Sequence, residues 1–246
     1  MARELARRSL PSGRIARVVM SEAADGDVAV GDTAVGGPGR LLATGDGPSA
    51  GMLGEVPRPW TVLDQVHGAA VAVVSEPGGA SGTPADAMVT DRPGVALSIQ
   101  VADCVPVALL GHSSIAVAHA GWRGLVAGVL EATVAALVEA DASSAVPLEA
   151  VVGPHVGSCC YEFGADDLAR LVAAFGPGVA AETRNGRPAL DLAAAVSGVL
   201  GRQEVTATFD GVCTSCDERH WSFRATGTAC RQAMLAWMEP IPQPVG

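Results

Sequence analysis

The chain contains no lysine; all 16 of its basic residues are arginines. That absence excludes a Walker A phosphate loop, Schiff-base catalysis and a serine–lysine dyad. Phosphate contacts therefore fall to arginine, to backbone N–H groups or to a metal ion. Asparagine is nearly missing as well. Asn185, in Arg184-Asn185-Gly186-Arg187, reads as a hairpin turn and argues against a papain-like Cys-His-Asn arrangement. Aromatic residues make up 4% of the chain. No run approaches the roughly 18 uninterrupted apolar residues of a membrane span, and the apolar stretch 15–20 is too short for the core of a secretory signal. Charge of the right sign for nucleic acid is also lacking, since 26 acidic and 16 basic residues leave a net charge of −10. With 6 cysteines and no secretory signal, the expected compartment is the reducing cytoplasm. There cysteines serve as ligands, nucleophiles or core residues.

What is present suits one large domain spanning residues 1–246, with 49% apolar residues to build its core. Arg3, Arg7, Arg8, Arg14 and Arg17 read as a frayed basic tail leading into a first strand at 14–20. Apolar runs at 60–66, 69–75, 87–90, 94–101, 105–110 and 114–118 read as strands. The nearly continuous apolar character of the later ones predicts cover on both faces. At 124–140 the period becomes helical, with Leu125, Val129, Ala132, Ala136 and Ala140 on one stripe. Further helices are expected at 165–175, 192–202 and 229–238, the last stopped by Pro240, and further strands at 148–153 and 205–209. Strands first and helices later predict an α+β fold with mixed sheets.

Three residues stand out as metal ligands. His67 ends Leu-Asp-Gln-Val-His-Gly, Cys104 ends Val-Ala-Asp-Cys, and His119 opens His-Ala-Gly-Trp-Arg-Gly. Each follows an apolar run, at a point where a strand is expected to give way to a loop. Two imidazoles and one thiolate make a three-ligand set with a fourth tetrahedral position left open, as in catalytic zinc sites. A buried cysteine or a lone histidine is also a common core residue, and no local zinc-finger spacing relates the three. Arg123, at the start of the helix expected near Gly124, and Arg224 are candidates for an anion site. Glu162 and Asp86 are the carboxylates first considered for ribose hydroxyls or proton transfer, with structural N-cap or turn roles as the equal alternative. His155 is a candidate for the pocket wall, His112 for a solvated turn. Cys213-Thr-Ser-Cys216 has the parts, with Cys159, Cys160 or Cys230, of a second zinc site or a redox pair. Without a second properly spaced CxxC it reads as structural.

Several blocks resemble one family in the right order. They are Leu63-Asp64-Gln65-Val66-His67-Gly68, Ala85-Asp86-Ala87, Ala102-Asp103-Cys104-Val105-Pro106-Val107 and His119-Ala120-Gly121-Trp122-Arg123-Gly124. Gly153-Pro154, Tyr161-Glu162-Phe163-Gly164, Cys213-Thr214 and Trp221-Ser222-Phe223-Arg224 follow. Together they look like the signature of the YfiH family, also called the laccase-domain or polyphenol-oxidoreductase family and regarded as purine nucleoside phosphorylases. The chain departs from the family pattern at residues 20–55, a short Gly- and Asp-rich stretch, and at Cys216.

The resemblance implies a zinc site at His67, Cys104 and His119, with copper a second candidate for the same ligands. It also implies phosphorolysis of adenosine, inosine or methylthioadenosine, and adenosine deaminase activity. For deamination, no histidine has a glutamate two residues on, so Glu162 or Asp103 would supply the acid–base group. The substrates are then a purine nucleoside and phosphate, the expected state a monomer with no nucleic-acid or membrane partner. Alternatives are a cysteine hydrolase or amidase linked to peptidoglycan, using Cys104 with His119, and a laccase-like oxidase. Five histidines are too few for the multi-copper ligand set of the latter.

Overall fold

The apolar runs in the middle of the chain send alternate side chains to opposite sides, and this period of two organises the architecture. A computed structural model describes residues 1–28, 51–141 and 148–239. The stretch 29–50, most of the divergent Gly- and Asp-rich segment, and Pro240 lie outside the described residues. In chain order the strands are β1 (Arg3–Ser9), β2 (Ile15–Met20), β3 (Thr61–Val62), β4 (Val71–Val73), β5 (Ala87–Thr90), β6 (Ala96–Val101) and β7 (Val105–Leu110). They continue with β8 (Ile115–Ala120), β9 (Glu149–Val152), β10 (Ala180–Glu182), β11 (Pro188–Leu190), β12 (Thr206–Phe209) and β13 (Gln232–Met238). The helices are α1 (Trp122–Ala127), α2 (Val129–Ala140), α3 (Ala165–Phe175), α4 (Leu192–Arg202) and α5 (Phe223–Thr226).

A six-stranded mixed sheet runs β12-β9-β7-β8-β5-β4, a five-stranded one β1-β2-β13-β6-β3, and β10-β11 form a hairpin. From the six-stranded sheet, Ala87, Val89, Val107, Leu109, Ala116 and Ala118 pack with Leu130, Val134, Val196 and Leu200 of the helices. The intervening Met88, Ala108, Leu110, Ile115 and Val117 meet Met20, Leu97, Ile99, Met234 and Ala236 of the five-stranded sheet. A layer of apolar side chains therefore lies on each face of β5, β7 and β8, which is why their sequences read as unbroken apolar runs. The fold is α+β with mixed sheets, and the Asn185 turn joins β10 to β11 as expected. No helix among the described residues is long and apolar enough to cross a membrane.

Three local expectations are corrected. The helix expected at 229–238 is β13, a central strand between β2 and β6. Its Ala, Met and Leu favour helix locally, but Met234, Ala236 and Met238 bury on one face, Ala233, Leu235 and Trp237 on the other. Pairing on both edges overrides the propensity. The helix at 124–140 is broken at Gly128, whose φ of 87° ends α1 and restarts the chain as α2. Of the expected stripe, Leu125 and Val129 are buried and Ala136 and Ala140 pack only partly against the core; Leu130, Thr133, Val134 and Leu137 complete the buried face of α2, the larger side chains having more apolar area to remove from water. The basic N-terminal segment is not frayed: β1 pairs with β2 along its length. Its arginines are matched to acids, Arg3 to Glu22 and Asp210, Arg7 to Glu239, Arg8 to Glu149, while Arg17 of β2 meets Glu4 and Glu55.

Candidate metal centre and cleft

β6 belongs to the five-stranded sheet and β7 to the six-stranded one, so the turn at 102–104 crosses between them and carries Cys104 at the seam. Asp103 in that turn has φ 98°, a left-handed conformation that a side chain adopts only at a cost of order 1 kcal/mol or more. Three contacts hold it there. Its Oδ1 accepts from the Thr214 hydroxyl at 2.7 Å, its Oδ2 from the Arg224 N–H at 2.6 Å, and its carbonyl from the Val156 N–H at 3.0 Å.

His67 follows β3 in a turn of its own, also left-handed at φ 60°. The turn wraps around the fully buried carboxylate of Asp86, which accepts from the N–H groups of Val66 at 3.2 Å, His67 at 2.9 Å and Gly68 at 2.6 Å. The third candidate ligand, His119, lies inside β8 opposite Pro106 of β7, one residue before the strand ends rather than in a loop. Its Nδ1–H donates to the same Asp86 at 2.8 Å. One carboxylate thus fixes the backbone of one ligand and the ring of the other. An acceptor at Nδ1 sets the tautomer and leaves His119 Nε2 for the centre.

The donor atoms of His67, Cys104 and His119 lie within 4.8 Å of one another. Cys104 Sγ is 3.9 Å from His67 Nε2, and the two imidazole centroids are 4.7 Å apart at 71°. Burial opposes ionisation of Cys104, but the charge of His119, hydrogen bonds from His119 and His67 and the charge of His67 outweigh it, bringing the thiol down to about 6. Burial likewise works against charge on His119, but Cys104 and Asp86 prevail and raise it to about 9. Both shifts favour the thiolate on Cys104 and the imidazolium on His119. The donor chemistry, the buried carboxylate behind one imidazole and the convergence of the three atoms fit a borderline-soft tetrahedral ion.

Gly121 gives the centre its space. A Cβ there would stand 3.0 Å from Cys104 Sγ and 3.0 Å from His67 Cδ2. Its φ of −75° suits any residue, so the need for glycine is one of room, not of backbone freedom. Gly121→Ala is expected to leave thermal unfolding nearly unchanged and to weaken metal binding by about tenfold or more. Metal titration of stripped protein, monitored beside a thermal melt, measures both.

The three candidate ligands line a cleft of about 690 Å³, within the usual range for a small-molecule site. Its wall includes Asp64, Trp122, Arg123, Tyr161, Arg224 and Arg231. The Arg123 guanidinium lies 4.4 Å over the Trp122 ring and that of Arg224 4.6 Å over Tyr161. Arg123 does not head a long helix as expected, because α1 is six residues long and α2 starts beyond Gly128.

The other expected carboxylates have different duties. Glu162 is outside the cleft lining: its carboxylate pairs with Arg187 at 2.7 Å, and its carbonyl accepts from Arg224 Nη1 at 3.3 Å. Asp86 and Asp103 orient the turns through the hydrogen bonds described, Asp103 from within the cleft lining and Asp86 from behind it. His155 does not line the cleft either; its Nδ1–H donates to the Gly153 carbonyl at 2.8 Å. Asp64 and Arg231 were missed. Asp64 stands three residues before His67 in the same block, which was its available signal; Arg231 precedes the strand taken for a helix.

Residues 49–239 match a family model described as multi-copper polyphenol oxidoreductase laccase. A protein of Streptomyces coelicolor named purine nucleoside phosphorylase is 41% identical over 86% of this chain and 86% of its own length. The purine nucleoside phosphorylase YfiH of Shigella flexneri is 32% identical over 81% of this chain and 78% of its own. The crystal structure of a Neisseria meningitidis protein superposes with a TM-score of 0.69 at 26% identity, covering 96% of this chain and 99% of that one. With four-fifths or more of the chain shared with such relatives and the family model matched over residues 49–239, this protein belongs to the YfiH family, whose model carries the multi-copper polyphenol oxidoreductase laccase description.

Proposed function

We propose that the cleft catalyses phosphorolysis of a purine nucleoside (adenosine, inosine or methylthioadenosine) with zinc held by His67, Cys104 and His119. The observation that carries this reading is that three arginines, Arg123, Arg224 and Arg231, line one cleft beside the metal donors of an otherwise acidic, lysine-free chain. The names of the relatives supply the substrate class. Planar delocalised guanidiniums match phosphate oxygens in pairs. The half-exposed Phe223 offers an apolar face to a purine ring, while the Trp122 and Tyr161 rings support the Arg123 and Arg224 guanidiniums. Asp64, whose carboxylate has no hydrogen-bond partner among the described residues, is assigned to the ribose hydroxyls. Zinc in this centre supplies Lewis acidity toward an oxygen of phosphate or water. In the reaction a phosphate oxygen forms a bond to C1′ as the C1′–N9 bond breaks. The electron pair leaves with the purine, which takes up a proton, and ribose 1-phosphate is the second product.

Deamination of adenosine is the second reading. Glu162 and Asp103, expected to serve it, are engaged elsewhere, so Asp64 is the carboxylate left to it. The enzyme is taken as a cytoplasmic monomer, its free thiols suiting a reducing compartment. Incubation of the purified protein with adenosine or inosine, with and without phosphate, tests the reading. Free purine and ribose 1-phosphate that appear only with phosphate support it. Inosine and ammonia from adenosine without phosphate favour deamination, and no product in either condition sinks both. Arg224→Gln and Arg123→Gln should each raise the KM for phosphate about tenfold, the worth of one charge-assisted hydrogen bond, while sparing any phosphate-independent deamination. An unchanged KM in both variants would move the anion site elsewhere.

A further inference from the structure

Four of the remaining cysteines, widely separated in sequence, meet outside the cleft. Cys159 and Cys160 end a short 3-10 turn, and Cys213 and Cys216 bracket a second turn, in which the N–H groups of Cys216 and Asp217 both donate to the Cys213 carbonyl. A parallel bridge between His155 and Cys213 sets the two turns side by side. All four Sγ atoms lie within 4.8 Å of one another. Cys159 Sγ is 3.7 Å from Cys160 Sγ and 3.7 Å from Cys216 Sγ, and Cys160 Sγ is 3.3 Å from Cys216 Sγ.

These spacings decide between two kinds of chemistry. A disulfide needs about 2.05 Å between sulfurs, and all six cysteines are free. A zinc ion with four Zn–S bonds of about 2.3 Å holds its sulfurs about 3.8 Å apart at the corners of a tetrahedron. The three edges among Cys159, Cys160 and Cys216, at 3.7, 3.7 and 3.3 Å, match one face of such a tetrahedron, slightly contracted at one edge, and Cys213 lies within 4.8 Å of all three. The Gly157 N–H donates to Cys213 Sγ at 3.1 Å, a contact that favours thiolate. Gly157 also leaves room for the cluster, since a Cβ there would meet Cys159 Sγ at 3.2 Å and Cys213 Sγ at 3.5 Å. A divalent cation among the sulfurs would neutralise the thiolates it collects.

We propose that Cys159, Cys160, Cys213 and Cys216 bind a second metal ion, a tetrahedral zinc with no position left for substrate. Four thiolates without imidazole or carboxylate select a soft or borderline ion, and a filled ligand set marks the site as structural. The ion ties together two segments that both reach the cleft wall. Tyr161, under the Arg224 guanidinium, follows Cys160 directly, and Thr214, next to Cys213, donates to Asp103 beside Cys104. The second site therefore positions the wall of the first.

Zinc analysis of protein purified under reductant tests this independently of the cleft's activity, in a Cys104→Ala background that takes the first centre out of play. One zinc per chain should remain there and be lost on adding Cys216→Ser or Cys159→Ser. Cobalt put in its place should give the intense visible absorption of a tetrathiolate centre, diminished and shifted in the serine variants. Should those variants fail to fold, the thiols of the Cys104→Ala protein still decide the matter. The four cluster thiols should resist a disulfide reagent until chelator is added, while Cys230 reacts. No zinc in the Cys104→Ala protein, free reaction of all its thiols before chelation, or a Cys160–Cys216 disulfide found by mass spectrometry would overturn the assignment.

Discussion

Cys104→Ala is expected to abolish metal binding between His67 and His119 and to lower turnover by more than the roughly 100-fold typical of losing an outer-sphere partner. Thermal unfolding should change little, within about 1 kcal/mol, because the half-buried thiol is at the seam of two sheets whose apolar layers remain intact. The same residue reports on the wild type. Its thiol is brought down to about 6, so in metal-stripped protein iodoacetamide should label it with a rate that climbs through pH 6 and levels off above. Metal-loaded protein should be protected at every pH where the ion stays bound. His119, raised to about 9, must lose its proton before it can ligate. Between about pH 6 and pH 9 the apparent metal affinity should therefore rise roughly tenfold per pH unit, then flatten. Peptide mapping of the labelled cysteine and metal titrations across this range measure both limbs. Rapid labelling of Cys104 in the metal-loaded enzyme, with turnover that survives chelation, would instead favour a cysteine hydrolase.

Asp86→Asn is the second substitution with a large expected effect. The buried carboxylate accepts three backbone N–H groups and the His119 Nδ1–H. An amide in its place turns an NH₂ toward donors and takes the countercharge from His119. Breaking a buried pair of this kind costs about 3 kcal/mol or more, and loss of the ligand's orienting partner weakens metal binding by about 10–100-fold. Stability against acid should change as well. Burial disfavours the charged carboxylate, but hydrogen bonds from His119 and Gly68, the His119 charge and the His67 N–H prevail and hold Asp86 below its usual range. A lowered folded-state pKa contributes stability that is complete above the unfolded value, about 4, and is lost as pH falls through the folded one. Thermal melts of wild type should fall off on acidification below pH 4, and this part of the fall should be missing in Asp86→Asn. Equal acid sensitivity in the two proteins would show that Asp86 is not held in this way.

The parts of the molecule legible in sequence are those whose information is local. β5, β7 and β8 announce themselves because burial on both faces leaves almost no polar positions, Thr90 and His119 being the exceptions. The three ligands stand out because a histidine before Gly68, a cysteine after Asp103 and a histidine near Gly121 need tight turns or small neighbours, and such needs leave short conspicuous blocks. What was not legible depends on partners distant in sequence. Asp86 serves residues 18 to 33 positions away, so its orienting role could not be told from a catalytic one. Glu162 sits in a conspicuous block, yet its carboxylate is taken by Arg187, 25 residues on. The CxxC at Cys213 gains its complement from Cys159 and Cys160, more than 50 residues earlier, and no spacing rule anticipates that meeting. β13 was misread because its apolar residues satisfy helix propensity equally well until β2 and β6 flank it.

The position of β13 also constrains how the chain acquires its structure during synthesis. A ribosome making this protein releases β2 and β6 long before the strand that separates them in the finished sheet. Until residues 232–238 emerge, both strands carry open hydrogen-bonding edges, and the apolar side chains of Val18, Met20, Leu97 and Ile99 lack part of their final cover. Such edges are templates for pairing with other nascent chains. Translation arrest shortly before residue 232 should therefore yield a chain that aggregates or recruits chaperones, whereas a few more residues let the two halves of the sheet close around their last-made strand.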